Sequence, residues 1–289
     1  MIIPTKKLKS GFEMPVFGLG TWLMGGDINF DPKNDDQADI KAIKTAIDLG
    51  ITHIDTAEKY AQGHAEELVG QAIKDSDRSK LFIVSKVSDD NLKYDDVLKS
   101  CLASLKRLET NYLDLYLIHS PNHEIPIKAT MRALDKLKAD GLIKNIGVSN
   151  FSIASFKAAQ SCTKNKIVVN QVHYNLIIRE AVVSGLLKYC QENDVILEAY
   201  RPFEKGMLFN AGGAALDKIA NKYQKTKAQV VINWLIFQAN VVTLSKMREP
   251  EHIKENLDAL TWQLSDEDVE WLKNNFSGQK DRSPVCPLL

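Results

Sequence analysis

The stretch ITHIDTAEKY, residues 51–60, runs from a short apolar segment straight into a cluster of ionisable and hydroxyl-bearing side chains. Its first half, ITHID, reads as a β-strand, with Asp55 at the carboxyl end and Tyr60 in the loop just beyond. Two later strands repeat the arrangement. LFIVSK (81–86) ends in Lys86, and LDLYLIH (113–119) ends in His119. In a barrel of parallel strands the carboxyl ends form the face on which active sites are built. Asp55, Tyr60, Lys86 and His119 are therefore the first candidates for one shared site.

Outward from this stretch, five more runs read as strands: FGLGT (17–21), IKNIGVS (143–149), IVVNQV (167–172), VILEAY (195–200) and VVTLS (241–245). Helical periodicity fills the gaps. It is clear in IKAIKTAIDLG (40–50), which ends in the capping glycine Gly50, in YDDVLKSCLASLKRLE (94–109) and in ATMRALDKLKADG (129–141). Eight strands, each followed by a helical stretch and undivided by any linker, are the arithmetic of an α/β chain folded as one (β/α)8 TIM barrel domain over residues 1–289. An open doubly wound sheet would need G-x-G-x-x-G after an early strand. The nearest match, GLGTWL at 18–23, lacks the third glycine. The opening MIIPTKKLKSGFEMPVFG carries a Lys-Ser-Gly-Phe turn and predicts an N-terminal β-hairpin ahead of the barrel. The tail SGQKDRSPVCPLL is rich in proline and predicts irregular chain, either laid over the barrel mouth or loose.

Composition narrows the function classes. Lys plus Arg and Asp plus Glu both number 37, so no net field favours nucleic acid or an acidic membrane surface. Lys6, Lys7 and Lys9 have no aromatic residues interleaved for base stacking. No run is long and apolar enough to span a membrane, and the first residues lack the apolar core of a signal peptide. The four cysteines are scattered without a CxxC pair or a zinc-like spacing, which points to a reduced cytoplasmic protein with no metal site.

The four strand-end residues suit one chemistry, the reduction of a carbonyl. The hydride must come from a nicotinamide, because no side chain can supply it. The protein must protonate the oxygen. A phenol beside an ammonium has its pKa lowered, an aspartate keeps that ammonium charged, and a histidine can hydrogen-bond and orient the carbonyl. Tyr60, Lys86, Asp55 and His119 fill those roles in that order.

The segments GLGTW (18–22), DTAEKY (55–60), SK (85–86), DLYLIHSP (114–121), IGVSNF (146–151), VNQVHYN (169–175), EAYRP (198–202) and EHIKENLDAL (251–260) together resemble the aldo-keto reductase family, in the family's order and through nearly the whole chain. The resemblance implies a monomeric enzyme that reduces a small-molecule aldehyde or ketone with NADPH, or with NADH, laid across the barrel mouth. It implies Tyr60 as the acid. It also implies that Ser149, Asn150 and Gln171 hold the nicotinamide carboxamide, that Tyr200 stacks on the ring and that Trp22 lines the substrate pocket. Lys246 and the residues after it would meet the adenosine end, with Glu255 and Asn256 near the adenine.

The chain departs from the family pattern at several positions. Ser120 and Ser88 stand where aromatic residues are common, which predicts a wider pocket. Arg201 replaces a serine after Tyr200 and is expected to meet the cofactor pyrophosphate or a substrate carboxylate. His252 replaces an arginine, leaving Lys246 and Arg248 as cations for a 2′-phosphate, while Glu249 could accept from a free 2′-hydroxyl. His123, beyond His119, is a candidate substrate contact. His53 reads as a satisfied barrel histidine. Two other readings of these residues remain. In one, Lys86 forms a Schiff base as in barrel aldolases. In the other, the chain is a redox-sensing accessory subunit that binds cofactor and turns over slowly.

Overall fold

The computed structural model describes residues 2–211 and 213–289. Its strands are β1 (Thr5–Lys7), β2 (Glu13–Pro15), β3 (Phe17–Gly20), β4 (His53–Asp55), β5 (Phe82–Val87), β6 (Leu115–Ile118), β7 (Ile146–Ser149), β8 (Ile167–His173), β9 (Ile196–Tyr200) and β10 (Val241–Ser245). Strands β3 to β10 close in sequence order into a parallel barrel, with β10 pairing back onto β3. This is the (β/α)8 fold read from the sequence. Strands β1 and β2 form the expected antiparallel hairpin.

Side chains alternate between the barrel interior and the helical shell with the period of two inherent to a strand. On β5, Val84 and Lys86 point inward, while Ser85 faces the helix His64–Ile73 and bonds its Glu66. The same parity carries Asp55 above His53, Gln171 above Val169, and Glu198 above Ile196. The interior is therefore layered. At the amino end Val84, Leu115, Leu117, Val169, Ile196 and Val242 form an apolar floor, and the hairpin seals it with Leu8, Phe12 and Met14. Burying side chains of that size stabilises the fold by roughly 1.5–3 kcal/mol each. Towards the carboxyl end the interior turns polar. Gly18 on β3 is required there, because a Cβ would lie 2.4 Å from the His53 ring.

The helices begin and end for local reasons. The first starts at Asp36, four residues before the apolar pattern suggests, because Asp35 caps it by accepting from the Ala38 amide at 3.0 Å. Gly50 lies just past its end with φ +105°. The strand read as 113–119 is regular only over Leu115–Ile118.

The C-terminal tail is laid over the mouth. Glu180 accepts from the amides of Ser283 (2.9 Å) and Leu288 (3.2 Å). Leu289 donates to the Asn150 carbonyl at 3.0 Å and accepts from the Ser152 amide at 2.8 Å. Among the described residues no helix is long and apolar enough to cross a membrane.

Candidate active site

A cavity of about 650 Å³ opens at the carboxyl ends of the strands. Asp55, Tyr60 and His119 line it, together with Trp22, Ser149, Asn150, Gln171, Tyr200, Arg201 and Lys246. Lys86 lies directly beneath and is fully buried. Its ammonium donates to Asp55 Oδ1 at 2.6 Å, to the Thr56 carbonyl at 2.9 Å and to the Tyr60 hydroxyl at 3.1 Å. Three acceptors match the three hydrogens of an ammonium. Burial works against the charge on Lys86, but Asp55 and Tyr60 outweigh it and hold its pKa above the ordinary lysine value. A lysine kept as an ammonium is a poor amine nucleophile, which weighs against the Schiff-base reading.

The acidity of Tyr60 differs from the sequence expectation. Burial raises its pKa by more than the Lys86 ammonium lowers it, and Asp55 adds to the rise. Without a bound cofactor the phenol therefore stays protonated above its ordinary range. It remains able to act, since a nascent alkoxide is a far stronger base than a phenolate. The rings of His119 and Trp22 stand edge-on to Tyr60, with centroids 5.5 and 4.9 Å away. Burial, then the charges of Lys86 and Lys59, push His119 down to about 3. Its ring is neutral across the working range, and its buried Nδ1 has no hydrogen-bond partner among the described residues.

A flat slot adjoins these groups. Tyr200 is stacked on His173 at an interplanar angle of 14° and donates to Asn150 Oδ1 at 2.8 Å. The Asn150 amide also donates to Ser149 Oγ and to the His119 carbonyl, both at 3.1 Å. Asn150 (φ +63°) and Arg201 (φ +55°) are left-handed, as are Leu23, Ala61, Gln62, Glu204 and Lys205 around the same mouth. Non-glycine residues held this way are strained by on the order of 1 kcal/mol or more, and such strain clusters at functional sites.

Not every candidate reaches the cavity. Arg248 is bound to Asp39 through Nε (2.5 Å) and Nη2 (3.0 Å), with Asn34 Oδ1 at 3.3 Å. It is not a free cation. Lys246 has no ion-pair partner among the described residues, and burial followed by Arg248 lowers its pKa. His123 and His252 are exposed and lie outside the cavity wall. Glu255 and Asn256 also lie outside it, on the helix Pro250–Asp258, with Asn256 buried against Ser245. His53 is not the satisfied core histidine expected. It is fully buried, and among the described residues neither ring nitrogen has a hydrogen-bond partner.

The structure adds residues that the sequence did not single out. Leu23, Ile28, Phe203, Lys205, Phe209 and Cys286 line the cavity. Phe203 and Phe209 pack with ring centroids 5.5 Å apart and supply an aromatic wall where Ser88 and Ser120 do not. Phe203 and Lys205 follow a strand's carboxyl end, a signal that could have found them. Cys286 sits in the tail and had no such signal.

Residues 16–274 match the model of the aldo/keto reductase family. The chain belongs to that family. It is 39% identical to the glyoxal reductase of Bacillus subtilis (strain 168) over 268 residues, covering 92% of this chain and 90% of that protein. The crystal structure of a thermostable aldo-keto reductase, Tm1743, in complex with the inhibitor epalrestat aligns with a TM-score of 0.91 at 44% identity, over 94% of this chain and 99% of that one. An aldo-keto reductase from Klebsiella pneumoniae in complex with NADPH aligns over 100% of both chains with a TM-score of 0.87 at 33% identity. Membership of the family makes this protein an NAD(P)H-dependent oxidoreductase that acts on carbonyl groups.

Proposed function

We propose that this reductase takes small, reactive aldehydes of the glyoxal type, with NADPH as hydride donor and Tyr60 as proton donor. The observation that carries the assignment of Tyr60 is the contact of its hydroxyl with the Lys86 ammonium at 3.1 Å, at the edge of the cavity. The similarity to a glyoxal reductase supports the substrate class.

The residues present fit a nicotinamide nucleotide. Tyr200, backed by His173, offers a flat face, and Ser149, Asn150 and Gln171 offer polar atoms beside it. Arg201, Lys205 and Lys246 line the cavity as cations with no carboxylate in an ion pair among the described residues. These suit a polyphosphate. When bound, the nucleotide supplies the hydride. The chain's own residues do the rest. His119, neutral, hydrogen-bonds and orients the substrate oxygen. Tyr60 gives that oxygen its proton. Lys86 compensates the negative charge left on the phenolate, and Asp55 fixes Lys86 in place. Trp22, Phe203 and Phe209 wall the pocket.

The proposal extends to action as a monomer, as the family resemblance implies. The four free cysteines support a reducing, cytoplasmic setting. The test is a panel of glyoxal, methylglyoxal, simple aldehydes and ketones, assayed with NADPH and with NADH. The expected result is the highest kcat/KM for a 2-oxoaldehyde with NADPH. Equal or better use of simple ketones would overturn the substrate class, and preference for NADH would overturn the cofactor.

A further inference from the structure

Beneath the cavity the polar chain does not stop at Asp55. The side-chain amide of Gln171 spends both of its hydrogens inward, donating to Asp55 Oδ2 at 2.8 Å and to Glu198 Oε2 at 2.9 Å. Glu198, on β9, is fully buried. Its other oxygen, Oε1, lies 3.2 Å from His53 Nε2 but off the line of a hydrogen bond, and among the described residues neither atom has another partner. Buried polar atoms left this way are costly and rare, so a buried carboxyl group kept here needs a reason. The hydrogen-bonded chain runs Tyr60, Lys86, Asp55, Gln171, Glu198, and His53 lies at its end without a hydrogen bond to it.

We propose that Glu198 is a positioning residue of the reaction, acting through Gln171, Asp55 and Lys86 to orient the Gln171 amide and to set how firmly Tyr60 holds its proton. The inference rests on the assignment of Tyr60 as proton donor. Two effects follow from the geometry. With both N–H groups of Gln171 committed to carboxyl groups, only Oε1 is left for the cavity, so Gln171 meets a carboxamide as an acceptor from its NH2 group. The second effect is electrostatic. A negative charge on Glu198 disfavours a second one on Tyr60.

The groups that bear on Glu198 are few. His53 and Asp55 face it from β4, Lys86 from β5 and Gln171 from β8, while β3 and β10 carry no ionisable side chain. Burial, then the charge of Asp55, raise Glu198 to about 8, and burial followed by Lys86 lowers His53 to about 3. Glu198 therefore gains its charge as the pH rises through the mildly alkaline range, before Tyr60 loses its proton. The proton donor is preserved to higher pH.

The test is the pH profile of kcat for NADPH-dependent reduction in Glu198→Gln, which keeps the shape and an acceptor for Gln171 but cannot ionise. The alkaline limb should move down by on the order of one pH unit, with kcat near pH 6.5 within a few-fold of wild type. A limb that does not move overturns the proposal. If Glu198→Gln does not fold, infrared difference spectra of the wild type decide instead. Loss of a protonated-carboxyl band between about pH 7 and 9, absent from Glu198-labelled difference spectra at lower pH, supports the assignment. A Glu198 already ionised at pH 6 overturns it. Failure of the Tyr60 assignment would be seen separately, as an active Tyr60→Phe enzyme.

Discussion

Arg248 is locked to Asp39, a carboxylate with no exposure to solvent, by two hydrogen bonds of 2.5 and 3.0 Å that tie the loop after β10 to the first helix of the barrel. Asp39 also accepts from the Gly25 amide at 3.1 Å and from Asn34 at 2.8 Å. Releasing the guanidinium towards a nucleotide would leave a buried charge short of its cation. Arg248 thus holds the mouth together, and Lys246 beside it has no ion-pair partner among the described residues.

The first prediction separates these two residues. Arg248→Leu should lower stability by about 2 kcal/mol, because Asp39 loses its cation but keeps two other donors. The preference for NADPH over NADH should change little. Lys246→Met should leave stability unchanged and reduce NADPH affinity by about tenfold, with a smaller effect on NADH. Melting curves and nucleotide titrations by fluorescence check both. Loss of NADPH selectivity in Arg248→Leu would show that the guanidinium does leave Asp39.

Lys86→Met removes a buried ammonium and leaves the Asp55 carboxylate without its cation. The expected loss of stability is about 3–5 kcal/mol. The expected fall in kcat is roughly 10²–10⁴-fold. The double variant Lys86→Met/Asp55→Leu should recover stability without recovering activity. Activity in either variant within tenfold of wild type would contradict the role given to Lys86.

Much of this site is legible in the sequence. Period-two alternation in ITHID and LFIVSK places Asp55 and Lys86 on the inner face, and the carboxyl-end rule brings Tyr60 and His119 to the same mouth. Three kinds of fact were not legible. Long-range pairing was one: nothing near Arg248 in sequence announces Asp39, and nothing in EAY announces that Glu198 meets Gln171 and His53. Net electrostatics was another, since the balance between burial and Lys86 at Tyr60 depends on how much solvent reaches the phenol. The third was loop and tail placement, which put Cys286 and Phe209 on the cavity wall and left His123 outside it.

A third prediction concerns His64. Its ring lies 2.8 Å from both Glu67 and Asp36. Burial opposes the imidazolium, but the two carboxylates more than offset it and raise the pKa above the ordinary histidine value. A group whose folded pKa is raised contributes stability that is fully present below the unfolded value of about 6.5, and that is lost as pH rises through the folded value. His64→Gln should therefore lower Tm at pH 5.5 and have less effect at pH 8.5. An equal or larger loss at pH 8.5 would contradict this.

The tail offers a fourth. Ser283 bonds His173, the residue on which Tyr200 stacks, and Leu289 is bound on both sides of Asn150–Ser152. Deleting residues 282–289 should leave the barrel folded by circular dichroism. It should raise KM for the nucleotide several-fold, because Tyr200 and Asn150 lose the supports that order them. An unchanged KM would mean that the tail only covers the mouth.

The central claim is that Tyr60 delivers the proton, and one measurement addresses it without the complications of product release. Tyr60→Phe is loaded with NADPH, mixed with excess methylglyoxal, and followed through a single turnover by loss of nicotinamide absorbance. The account predicts a fall in the rate of about 10³-fold with NADPH affinity unchanged within a factor of about three. A single-turnover rate within tenfold of the wild type would contradict it.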